Sequence, residues 1–149
     1  MAMGRPARSP AHEAGIGLLR TAHLLRRELS AVVEPHGITL QQYNVLRILR
    51  GAGEGGLPTL EVAARMIEQA PGVTRLLDRM EAKGLVRRQR CPKDRRQHLC
   101  WITPDALRLL DRLDHAFSRA HDTALRGLNA KHRPAFIRQL EAIRAAHDP

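Results

Sequence analysis

Arg87-Arg88-Gln89-Arg90-Cys91-Pro92-Lys93-Asp94-Arg95-Arg96 decides the reading of this 149-residue chain, because it crowds positive charge into a turn between two strand-like runs. From Arg65 to Arg96 there are ten cations (Arg65, Arg75, Arg79, Lys83, Arg87, Arg88, Arg90, Lys93, Arg95, Arg96) and four anions (Glu68, Asp78, Glu81, Asp94). The whole chain carries a formal charge of +10, so most of the excess lies in one local element. Such a concentration points to a polyanionic partner, since Lys and Arg that neutralise phosphates release counterions and supply most sequence-independent affinity.

Upstream of this hairpin the sequence reads as two short helices. Thr59 is placed to cap a helix over 60–66, a break follows over 67–69, and a second helix over 71–83 ends at Gly84. Residues 85–90 and 97–102 then alternate as two strands around a turn at 92–96. The sum is a winged helix-turn-helix. In such a unit the second helix enters the major groove of double-stranded DNA, which makes Thr74 and Arg75 base-contact candidates, with Asp78 and Arg79 one turn further on. Arg79, Arg88, Arg90, Lys93, Arg95 and Arg96 complete the expected DNA-binding set, and Asp94 is placed to organise the wing turn. Val73, Leu76, Leu77 and Met80 fall on the opposite spacing and are expected in the core. Pro71 and Gly72 leave the first turn bare of hydrogen-bonding side chains, which favours shape readout there.

The flanks are helical. Residues 1–10 form a basic, Pro-containing tail expected to be disordered. Residues 11–36 form the N-terminal dimerisation segment, whose helix over 11–34 carries Leu18, Ala22, Leu25, Leu29 and Val32 on one stripe and is ended by Pro35 and Gly37. Thr39 caps the next helix, which carries Tyr43, Leu46 and Leu49 into the glycine-rich stretch 51–56. Residues 37–103 are thus the DNA-binding domain. Residues 104–149 hold two further helices, one with Pro104 and Asp105 in its first turn and a stripe of Ala106, Leu110, Leu113 and Phe117, the other over 131–146 with Ala135, Phe136, Leu140 and Ile143. These flanking stripes exceed what one small domain buries and are expected to form a homodimer interface, an intramolecular bundle being the alternative. The fold class is mainly α with a small β-wing.

Several functions are disfavoured. No run approaches the roughly 18 apolar residues of a spanning helix and no signal-peptide core follows Met1, which points to the cytoplasm. Cys91 and Cys100 form neither a disulfide framework nor a zinc pattern. The four aromatics, Tyr43, Trp101, Phe117 and Phe136, are too scattered for a base-stacking platform, which favours duplex DNA over single strands. No phosphate loop, nucleophile elbow or metal-ligand motif suggests an enzyme or a cofactor.

The segment from Gly72 to Arg88, followed by Asp94-Arg95-Arg96 and then Ile102-Thr103, resembles the MarR family of bacterial transcriptional regulators over about residues 38–105. The resemblance implies a homodimer, each protomer presenting a winged helix-turn-helix to one half of a pseudo-palindromic operator. Its wing-tip arginine falls on Arg96, with Arg95 beside it. The chain departs from the family at Ile67, Glu68 and Gln69, which bears on the geometry of the turn. Relatives of this kind release DNA when a small aromatic or phenolic effector enters a cleft beside the dimerisation helices, for which His23, His36, Tyr43 and Leu110 are candidates here. Three other readings remain: a non-specific architectural DNA binder, a thiol sensor through Cys91 beside Arg90 and Lys93, and a metal sensor through His115 and His121. The last is disfavoured, because a six-residue separation puts the two histidines on different helix faces.

Overall fold

The computed structural model describes residues 8–68 and 72–148. The chain runs through α1 (Pro10–Val33), α2 (Leu40–Ala52), β1 (Leu57–Pro58), α3 (Thr59–Arg65), α4 (Val73–Ala82), β2 (Val86–Arg90), β3 (His98–Ile102), α5 (Pro104–Ala124) and α6 (Arg133–Ala145). Most of the expected tail lies outside the described residues. The Ser9 hydroxyl accepts the His12 N–H at 3.2 Å, so α1 starts at Pro10, inside the segment expected to be tail.

Local chemistry fixes the element ends. Thr39 and Gln42 form a reciprocal capping box at the start of α2, with both bonds at 3.1 Å. The Gln42 side chain is buried, and its carbonyl also accepts the Lys83 ammonium at 3.2 Å, which ties the end of α4 to the start of α2. At the start of α5, Thr103 accepts the Ala106 N–H and donates to the Gly84 carbonyl at 2.7 Å. One side chain therefore closes the turn after α4 and opens the next helix. The expected helix start at Pro71 and the departure at Gln69 lie outside the described residues.

The expected pair of strands is a three-stranded antiparallel sheet in the order β1-β3-β2. Its third member, β1, pairs Leu57 with Cys100 and Pro58 with Leu99. Two residues are too short to show alternation, and Pro58 is tolerated because β1 is an edge. Thr59 is likewise not the cap expected of it. It is the first residue of α3, and its hydroxyl reaches the His98 carbonyl at 3.4 Å, joining α3 to β3.

One core unites these elements. Tyr43, Leu46 and Leu49 from α2, Leu77 and Met80 from α4, and Leu110 and Leu113 from α5 are fully buried, and α1 packs along α5 through Leu29 and Val33. The α5 stripe of Ala106, Leu110, Leu113 and Phe117 is buried throughout. The α1 stripe is covered only at its C-terminal end, Leu18 remaining 44% exposed. Helix α6 buries none of its residues, and Ile137 and Ile143 are each 52% exposed.

Candidate nucleic-acid interface

Helix α4 and the β2–β3 hairpin bound a concavity of about 720 Å³ lined by Thr74, Asp78, Arg88, Arg90, Arg96 and His98, among others. Strong amphipathicity orients α4: Leu77 and Met80 face the core, Val73 and Leu76 pack at its edge, and Thr74, Arg75, Asp78 and Arg79 are exposed. Thr74 and Asp78 border the wing-side concavity, whereas Arg75 and Arg79 line a separate groove on the other flank. Gly72 precedes the helix with φ +102°, a conformation that disfavours any side chain, and no side-chain cap covers the first amides among the described residues. The free N–H groups of a first turn point out along the helix axis, where an anion is favoured by the helix dipole.

The wing turn is held by Asp94, whose carboxylate accepts the Arg96 N–H at 3.0 Å while its carbonyl accepts the Gln97 N–H at 3.0 Å. Cys91 closes the turn by donating its N–H to the Gln97 carbonyl at 2.8 Å. Asp94 is thereby committed to the backbone. Arg90, Lys93, Arg95 and Arg96 are exposed and form no ion pair among the described residues.

The arginines at the base of the hairpin behave differently. Strand alternation sends Arg87 and Arg88 to opposite faces. The Arg87 guanidinium sits over the Trp101 indole, 4.4 Å from its centre. Arg88, only 16% exposed, reaches Asp78 and Glu81 on α4, and its backbone N–H donates to Glu81 at 3.0 Å. Burial works against the Arg88 charge, but the bonds to the two acids outweigh it and leave its pKa above the ordinary guanidinium value. Arg88, expected among the DNA contacts, is a bracket between wing and recognition helix. Sequence reasoning missed this because the partners lie seven and ten residues away on another element; the three-residue spacing of Asp78 and Glu81, which puts both on one helix face, is the signal that could have found it.

A second concave region lies behind the helix-turn-helix. Two adjoining cavities of about 460 and 360 Å³ share Leu29, Leu40, Asn44, Ile67 and His121. Tyr43 and Phe117 stack in the smaller one with ring centres 4.1 Å apart. The Asn44 amide oxygen accepts the Ile67 N–H at 3.0 Å, and Arg26 pairs with Glu68, so the walls include the segment that leads into α4. Of the four residues expected around a cleft, Tyr43 lines it and Leu110 is fully buried in the core. His23 and His36 are exposed and line neither cavity, His23 on an open face of α1 and His36 in the turn that follows it. His121 takes their place, one helical turn beyond Phe117, with Nδ1 3.0 Å from the Phe117 carbonyl. The α5 stripe, continued by four residues, would have reached it.

Cys100 is fully buried and burial pushes its thiol pKa up, away from the reactive thiolate, while Cys91 is partly buried at the mouth of the wing turn. No cluster of three His, Cys, Asp or Glu side chains suited to a metal occurs among the described residues. No helix among them is long and apolar enough to cross a membrane.

Comparison with known proteins places this architecture. Residues 36–97 match the model of the MarR family. The solved structure of a MarR transcription factor from Planctomyces limnophilus is 34% identical, with a TM-score of 0.71 over 91% of this chain and 98% of that one. The transcriptional regulator TtmR of Methylorubrum extorquens is 34% identical over 93 residues, 62% of this chain and 47% of that protein. The fold is also that of MepR from S. aureus, solved in a complex with DNA, at 20% identity with a TM-score of 0.80 over 89% of this chain and 96% of that one. The chain belongs to the MarR family of transcriptional regulators.

Proposed function

We propose that this protein is a sequence-specific regulator of transcription, acting as a repressor, that binds a pseudo-palindromic operator in double-stranded DNA as a homodimer. The observation that carries this reading is the pairing of an exposed recognition helix with a wing tip whose four cations have no acidic partner among the described residues. Helix α4 fits the major groove, with Thr74 and Arg75 toward base edges and Arg79 toward phosphate. The wing, rigidified by Asp94, puts Arg96 within reach of the adjacent minor groove, where a narrow, electronegative floor attracts arginine. Arg90, Lys93 and Arg95 supply phosphate contacts. MepR, with the same fold, was solved on DNA, which supports this use of the surface.

A second copy of the chain accounts for the apolar residues left uncovered on α6 and on the N-terminal half of α1. The cleft between α1, α2 and α5 suits a small aromatic or phenolic effector, with Tyr43 and Phe117 as the apolar wall and Arg47 and His121 as polar groups. Its wall leads into α4, so an occupant that displaced Ile67 or Glu68 would move the recognition helix and release DNA.

Selection of bound fragments from the source genome, followed by titration of the recovered site against random duplex at fixed salt, tests the reading. A regulator prefers its site by about a thousandfold or more. Equal affinity for both would identify an architectural DNA binder.

A further inference from the structure

We propose that Asp78 is a base-reading residue that selects cytosine at one position of each operator half-site, with Arg88 as the residue that positions it. The inference rests on the DNA-binding reading above and assigns its specificity.

An acid on the exposed face of a recognition helix is at first sight misplaced, since it faces a polyanion. Asp78 lies one turn into α4, four residues after Thr74, and its side chain is 57% exposed toward the concavity shared with Arg90 and Arg96. Arg88 binds its Oδ1 and Glu81 together, so one guanidinium offsets part of the charge of the two acids and ties the Asp78 carboxylate to the wing. That bond occupies one oxygen. Among the described residues nothing donates to Oδ2, whose lone pairs can accept a hydrogen bond from outside the protein.

The major-groove edge offers donors only at the amino groups of cytosine and adenine. Adenine sets its N7 acceptor beside the amino group, where its lone pair is repelled by the carboxylate. Cytosine sets no acceptor there, and guanine and thymine present only acceptors. A pinned carboxylate at this place therefore favours cytosine and rejects the other bases by leaving them, and itself, without a partner. Arg75 lies on the other flank of the helix, in the groove with Arg79, and suits guanine. The two side chains thus read different positions.

The discriminating substitution is Asp78→Asn, which keeps the size of the side chain but adds a donor, and an amide suits the adenine pair of N6 and N7. Wild type, Asp78→Asn, Asp78→Ala and Arg75→Ala are each used to select binding sites from a randomised duplex pool at one salt concentration. The wild type is expected to enrich cytosine at one position per half-site by about tenfold. Asp78→Asn should shift that position to adenine and Asp78→Ala should leave it unselected, while Arg75→Ala relaxes a different position. Retained Trp101 fluorescence shows that each variant is folded. If Asp78 serves only to hold Arg88, Asp78→Ala frees a cation, tightens binding to every sequence and leaves the base profile unchanged, which overturns the proposal. A wild-type motif without a selected cytosine also overturns it, leaving specific binding intact. Recovery of no motif at all removes the specific-regulator reading and this inference with it.

Discussion

The base and the tip of the wing carry similar sequence and do opposite work. At the base, Arg87 lies on Trp101 and Arg88 is locked to Asp78 and Glu81, so their charge holds the hairpin to the body of the domain. At the tip, Lys93, Arg95 and Arg96 stand in solvent, and the acid of the turn itself, Asp94, accepts the Arg96 backbone N–H. A count of cations treats the two regions alike. Their partners distinguish them: a cation held by an acid or an aromatic ring is part of the scaffold, and a cation with neither is available to phosphate. Changes at the base should therefore cost stability, and changes at the tip should cost DNA affinity alone.

The largest effect is expected from Gly56→Ala, below the base. Gly56 adopts φ +67°, and a methyl group there would meet the Trp101 ring at 2.7 Å and the Cys100 carbonyl at 2.9 Å. Trp101 cannot easily retreat, since its indole N–H donates to the Glu54 carbonyl at 2.9 Å. Backbone strain and displaced packing together should lower stability by about 2–4 kcal/mol. Urea unfolding followed by fluorescence of the single tryptophan measures it; an unchanged midpoint would mean that the Trp101 seat is not rigid.

Next comes Arg88→Ala, which leaves Asp78 and Glu81 facing each other without a cation. Both acids are substantially exposed and can regain water, so the loss should be near 1–2 kcal/mol and smaller than for a fully buried pair. The same unfolding experiment reads it. Unaltered stability would move Arg88 back among the simple phosphate contacts and erase the contrast between base and tip.

Arg96→Ala tests the other side. Stability should stay within about 0.5 kcal/mol, as for an exposed surface residue. Affinity for every duplex should fall about tenfold, and the dependence of log affinity on log salt should flatten by about one unit per wing. Mobility-shift titrations across salt concentrations check both, and a loss confined to one sequence would make Arg96 a base reader.

How far these roles could be read from sequence follows the range of the interactions. Periodicity and caps are local, and they placed the α5 stripe, the Thr39 cap, the Gly84 terminus and the hairpin strands to within a residue or so. Partners distant in sequence were not legible. Strand β1, the Thr59 contact to β3, the seat of Trp101 and the capture of Arg88 all join segments whose proximity only the tertiary fold creates. His121 is intermediate: it continues a visible stripe, but its cleft is made by three helices. The exposed cations of the tip are visible as charge, and their freedom is visible only once the acids are accounted for.

The smallest effect is expected away from the wing, where Arg50 of α2 makes a two-pronged bond to Asp114 of α5 at 2.8 and 3.0 Å. That bond, more than anything else around it, holds the Asp114 pKa below the ordinary carboxylate value; the buried Tyr43 hydroxyl also favours the anion from nearby, though it reaches no acceptor at hydrogen-bonding geometry. A carboxyl whose pKa is lower in the folded than in the unfolded chain stabilises the fold fully above its unfolded value, near 3.9, and loses that contribution as pH falls through the folded value. Asp114→Asn should therefore unfold more easily than wild type at pH 7, by a few tenths to about 1 kcal/mol for this partly exposed pair. The gap should close as the pH falls below about 4. If it persisted unchanged to pH 3, Asp114 would be acting through packing, and the ion pair would be no part of what joins α2 to α5. Because this contact lies in the helical frame, the closing gap should appear equally in an Arg96→Ala background, whereas any coupling to Arg88→Ala would show that the base of the wing and the frame share one network.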